Sequence, residues 1–141
     1  MHLIATDILH LMRGYCYDIT GYRFWVFGGG NSIDKRYRIP EISWWQQEMP
    51  NVEDYRRGLK CLEDNQFCVD YILTHTVPQS IAKMICEEII PGEEPLQEYL
   101  ENVSEKVEFK QWYFGHWHMD VDVFEKYHGL MEEVVCLCKS K

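Results

Sequence analysis

Two apolar stretches that each run into histidine constrain this chain more than anything else in it. The first is Tyr71-Ile72-Leu73-Thr74-His75, and the second is Trp112-Tyr113-Phe114-Gly115-His116-Trp117-His118. Short runs of aromatic and β-branched residues predict strands. The residues between them carry helical periodicity. Strand, helical crossover, strand is the order of a parallel pair. In parallel sheets ligands bind beyond the carboxyl ends of the strands. His75, His116 and His118 are therefore expected at one edge of one sheet, where imidazoles can share a cation.

The rest of the chain supports one α/β domain over residues 1–141. Segments 9–19 and 22–27 predict a hairpin, with Thr20-Gly21 as its two-residue turn. Gly28-Gly29-Gly30 then breaks the strand. Asn51 predicts a helix N-cap, with Glu53 and Asp54 suiting the positive end of the dipole. Val52, Tyr55, Leu59 and Leu62 form the apolar stripe of that helix, and Gly58 weakens it by about 1 kcal/mol relative to alanine. Residues 67–74 predict a strand. Ile81, Ala82, Ile85 and Ile89 predict a helix stopping before Pro91-Gly92. Pro95 opens another, with Leu96, Tyr99, Leu100 and Val103 on one face. Residues 109–114 predict the next strand. Residues 121–127 and 133–138 predict two closing strands around a turn at His128-Gly129.

Composition narrows the functional classes. A chain of 141 residues with 46% hydrophobic and 14% aromatic content has enough apolar surface for a real core. Its formal net charge of −9 repels a phosphate backbone, so nonspecific nucleic-acid binding is not expected. A bound dication reverses that sign locally, which leaves enzymes acting on phosphate esters open. Residues 1–7 meet an acid at Asp7 and do not read as a secretory leader. Cys16, Cys61, Cys68, Cys86, Cys136 and Cys138 contain no CxxC pair, and they are expected to be reduced thiols of a cytosolic, cytoplasmic protein. No apolar run approaches the ~20 residues that span a bilayer.

Each chemical constellation also has an ordinary reading. His116 and His118 follow Gly115, which lets the backbone turn sharply and bring both rings to one centre. The pair reads equally as two loop histidines; His75, at the neighbouring strand end, favours the ligand reading. The glycine run lacks the lysine and the following helix of a P-loop, and it reads first as a bulge or turn. Ser32 and Asp34 beyond it are candidates to face a substrate or metal cleft. Asp120 and Asp122 could orient the histidine rings, or be solvated loop acids. Trp44-Trp45 reads as a loop anchor and Trp112 as a strand residue. Trp117 is the best tryptophan to border a site. No cysteine is placed as a nucleophile.

Thr74-His75-Thr76-Val77-Pro78 and Gly115-His116-Trp117-His118 resemble the last two motifs of the calcineurin-like metallophosphoesterases. Residues 8–14, 27–35 and 43–48 look like a bacterial and phage subgroup of that family, so the resemblance spans nearly the whole chain. It implies a sandwich of two mixed sheets flanked by helices. It also implies hydrolysis of phosphate mono- or diesters at a two-metal centre of manganese, iron or zinc ions. By the same resemblance, His75 and His116 bind one metal and His118 the other. The family's D-x-H, GD and GNH motifs do not occur in this sequence, and with them go the bridging aspartate and the acid assisting the leaving group. The chain is accordingly expected to be the C-terminal part of such a domain, truncated and inactive alone. In-frame copies of those motifs upstream of the Met1 codon would complete the set. Missing strands would expose sheet edges, so aggregation, or pairing with a chain that supplies the N-terminal half, is expected.

Two other readings stand beside this one. The three histidines could hold a single zinc in a noncatalytic binding module that meets a partner through a sheet edge. Alternatively the chain is a remnant without present activity, whose histidines bind nothing.

Overall fold

The computed structural model describes residues 1–31, 39, 42, 46–87 and 90–137. Ser32, Asp34, Trp44, Trp45 and Cys138, which the sequence singles out, lie outside the described residues. A small hairpin opens the chain, β1 (His2–Ala5) against β2 (Ile8–His10). The main body is mixed α/β. Its strands are β3 (Tyr15–Ile19), β4 (Tyr22–Phe27), β5 (Tyr71–Thr74), β6 (Gln111–Phe114), β7 (Val121–Val123) and β8 (Tyr127–Gly129). They form one six-stranded sheet in the order β3-β4-β5-β6-β8-β7. The inner four strands are parallel, and β3 and β7 flank them antiparallel. Helices α1 (Val52–Asp64), α2 (Gln79–Ile85) and α3 (Glu94–Lys106) fill the crossovers. No helix among the described residues is long and apolar enough to cross a membrane.

The register explains where the core sits. Cys16, Trp25, Ile72, Trp112 and Tyr127 are successive cross-strand partners, so they form one row on one face. Side chains two apart on a strand share a face, so Phe27 and Phe114 join them. All three helices pack on this face, through Leu62 of α1, Ile81 and Ala82 of α2, and Leu96, Leu100 and Val103 of α3. Trp25 and Trp112 are fully buried there. The opposite face carries a smaller cluster of Phe24, Val26 and Tyr71, with Tyr17, Leu73, Tyr113 and Leu137 packed against it.

Local chemistry sets the joints. Thr20 and Gly21 both take positive φ, 51° and 84°, which suits the right-handed twist of the β3–β4 hairpin. Asn51 caps α1 reciprocally: its Oδ1 accepts from Asp54 N–H at 2.9 Å, and the Asp54 carboxylate accepts from Asn51 N–H at 3.0 Å. Pro95 lies in the first turn of α3, where a missing N–H costs nothing. Asp70 joins three strands at the other end of the sheet. Its carboxylate accepts from Arg23 N–H at 2.9 Å and from the Lys110 ammonium. Those bonds hold its carboxyl below the usual carboxylate range.

Several boundaries differ from the sequence reading. Residues 9–19 are not one strand, because Ile8–His10 pairs with β1 and the chain re-enters regular structure at Tyr15. Val52 is exposed and contributes nothing to the buried face of α1. Helix α2 ends at Ile85, well short of Ile89, which lies outside the described residues. The C-terminal pair is also rearranged. The turn falls at Phe124 and Glu125, both at φ 54°, and Lys126 N–H closes on the Val123 carbonyl at 3.3 Å. His128 and Gly129 therefore belong to β8. Residues 133–137 form no strand. Five cysteines lie among the described residues, and none of the five is in a disulfide.

Candidate functional site

Parallel register brings three strand ends to the same edge. Phe27 of β4 pairs with Thr74 of β5, and Leu73 pairs with Tyr113 of β6. The chain leaves these strands as Gly28-Gly29-Gly30, as His75, and as Gly115-His116. The backbone ties two of the exits together, since Gly115 N–H donates to the His75 carbonyl at 3.1 Å.

His75 Nε2 and His116 Nδ1 stand 3.0 Å apart, and their rings meet at 72°. His116 is buried, whereas His75 opens to solvent. The backbone at His116 is unusual. Its φ is +71°, and Trp117 N–H donates to the Gly115 carbonyl at 2.8 Å. That is a three-residue turn of the rarer, strained hand, costing on the order of 1–3 kcal/mol. The sharp bend is thus made by His116 itself, not by Gly115, whose φ is not positive. His118 also has positive φ, 51°, and its side of the loop is exposed. It lies near enough to His75 to disfavour protonation there, but no hydrogen bond links it to either other ring.

Glu93, immediately before α3, was not legible as a site residue, yet it is fully buried beside His116. Its Oε1 lies 3.2 Å from His116 Nε2 and accepts from Asn31 N–H at 3.0 Å. Its Oε2 accepts from the Thr76 hydroxyl at 3.2 Å and from Gln97 Nε2 at 2.9 Å. Burial pushes the Glu93 carboxyl up; the His116 ring, Asn31 N–H and Gln97 amide outweigh it, so the pKa is lowered and the carboxylate is the resting form. His75 has a lowered pKa, first from desolvation and then from His116; Glu93 and Glu48 oppose the shift. Neutral imidazole, the form that binds cations, is favoured.

The glycine run serves close approach. A Cβ on Gly30 would stand 2.6 Å from His75 Cδ2 and 3.2 Å from Glu93 Oε1. One on Gly29, at φ +129°, would stand 2.8 Å from the Glu48 carbonyl oxygen. Gly30→Ala is therefore expected to push the His75 ring away by roughly 1 Å, since the added methyl would stand well inside contact distance and the solvent-exposed ring is the side that can give. Shifted imidazole ¹⁵N resonances for His75 and His116 would show it; unchanged resonances would contradict it.

The other candidates are placed differently. Trp117 is buried and meets His116 edge-on, with centroids 5.2 Å apart, so it borders the site while anchoring the loop in the core. Asp120 turns to the C-terminal segment, where its carboxylate accepts from the backbone N–H groups of Met131, Glu132 and Glu133. Asp122 faces its cross-strand partner His128, with Oδ1 2.6 Å from Nδ1. Neither acid orients His116 or His118.

Two imidazole nitrogens bound to one ion at about 2.0–2.1 Å stand roughly 3 Å from each other when their bonds are near right angles. The His75–His116 separation matches that donor spacing, and it is equally the length of a hydrogen bond between the two rings. Among the described residues, no group of three or more His, Cys, Asp or Glu is gathered to hold a metal ion. No family model matches the chain, and comparison with curated proteins and with solved structures returns no match.

Proposed function

We propose that this chain carries the C-terminal half of a metal-dependent phosphoesterase centre of the calcineurin-like type, its sheet being one layer of that family's sandwich. In this reading His75 and His116 share one divalent cation, and His118 turns to a second. The remaining ligands come from a polypeptide bearing D-x-H, GD and GNH motifs. Lewis-acid activation of a phosphoryl group and of water is the chemistry such ions supply. The carrying observation is the 3.0 Å approach of two ring nitrogens delivered by adjacent parallel strand ends. The resemblance of Thr74-His75-Thr76-Val77-Pro78 and Gly115-His116-Trp117-His118 to the family's motifs supplies the reaction class.

Titration of the full chain with Co²⁺, followed by visible absorption, tests the ligand assignment. Weak binding is expected, and His75→Ala should lose at least tenfold in affinity, a cost of about 1.4 kcal/mol. His75 is exposed, so its removal should leave stability within about 0.5 kcal/mol. Equal affinity in the variant would refute the assignment. The reaction class is tested by mixing the metal-loaded chain with a polypeptide that supplies the three missing motifs. Hydrolysis of p-nitrophenyl phosphate or bis(p-nitrophenyl) phosphate is expected, and turnover of neither would refute it.

A further inference from the structure

We infer that Glu93 is the positioning residue of the centre, fixing His116 as the tautomer that carries its proton on Nε2 and so leaving Nδ1 bare toward His75. The inference rests on the reading of His116 as a ligand.

Four observations support it. The Glu93 carboxylate is fully buried, and a buried carboxylate is costly unless its lone pairs are answered. Three donors answer it from three directions: Asn31 N–H, the Thr76 hydroxyl and the Gln97 amide. What remains of Oε1 faces His116 Nε2 at 3.2 Å. That nitrogen is itself buried and has no other polar partner, so the Glu93 carboxylate beside it is the group placed to accept a proton from it.

The position in the chain points the same way. Glu93 occupies the N-cap of α3, where the oxygens of short polar side chains commonly bond the first free N–H groups. Its side chain makes no such cap bond. The side chain is spent instead on the loop that bears His75 and His116. Its three fixing donors come from the glycine run, from the loop after β5, and from α3. They hold the carboxylate still while it orients the ring. A ligating histidine whose far nitrogen donates to a carboxylate is fixed in tautomer and made more basic.

Long-range ¹H–¹⁵N correlation on the full, metal-free chain reads the tautomer directly. His116 is expected as the Nε2–H form in the wild type. In Glu93→Gln that form should give way to a mixture, and Co²⁺ affinity should fall 10- to 100-fold. A wild-type His116 found as the Nδ1–H form overturns the inference, and that result stands even if Glu93→Gln does not fold. A folded Glu93→Gln with an unchanged tautomer and Co²⁺ affinity within twofold overturns it as well. If His75→Ala binds Co²⁺ as the wild type does, the metal reading fails, while the tautomer still decides what Glu93 does to the ring.

Discussion

Trp112→Ala should cost about 3–5 kcal/mol, the range for emptying a large aromatic site. Trp112 is fully buried in the middle of the sheet. Its ring meets Phe109 edge-on at 5.4 Å and Tyr127 at 5.5 Å. Its Nε1 donates to Thr74 Oγ1 at 2.7 Å, and Thr74 is the residue before His75. The substitution therefore removes packing and also frees the strand end that carries a candidate ligand. Urea denaturation should show a much lower midpoint. Trp112→Phe separates the two effects. It keeps most of the apolar contact but loses the bond to Thr74, so a smaller loss of about 1–2 kcal/mol is expected. An alanine variant within about 0.5 kcal/mol of the wild type would contradict the description of the core.

Gly58→Ala should destabilise the protein, although helix propensity alone predicts a gain of about 1 kcal/mol. An added Cβ would stand 2.5 Å from Tyr99 Oη and 2.8 Å from Phe27 Cε2. Neither neighbour is free to retreat. Tyr99 Oη donates to the Tyr55 carbonyl at 3.0 Å, and Phe27 stacks against both Trp25 and Tyr55. The Gly58 carbonyl in turn accepts from Trp25 Nε1 at 3.2 Å, which holds helix and sheet at this spacing. Overpacking of this kind costs about 1–3 kcal/mol and outweighs the propensity gain. The expected result is a lower Tm by thermal denaturation. A higher Tm would mean that α1 sits farther from the sheet than described.

What the sequence made legible follows from how local each signal is. The Thr20-Gly21 turn, the Asn51 cap and the Pro95 helix start depend on neighbouring residues, and all three stand as expected. The parallel β5–β6 pair was legible because a helical crossover leaves few other options. The β7–β8 turn was not, because Phe124 and Glu125 take positive φ without the glycine or asparagine that usually marks it. Glu93 was hidden for a different reason. Acids near a helix start ordinarily face solvent and complement the dipole. Its burial comes from Asn31 and Thr76, which lie far from it in sequence. The partners of Asp120 and Asp122 were hidden likewise, because one is set by the folding of the C-terminal segment and the other by the β7–β8 pairing.

The flanks of the main sheet bear on how this protein can associate. On one side β7 offers only three residues. On the other, the outward Cys16 N–H of β3 already donates to Cys61 Sγ of α1 at 2.9 Å. A short rim and a rim with one of its outward N–H groups already taken are both poor templates for an incoming strand. Lateral zippering between molecules along these two borders is therefore disfavoured by construction, and the aromatic residues Phe24 and Tyr71 on the face between them are already buried under their own neighbours.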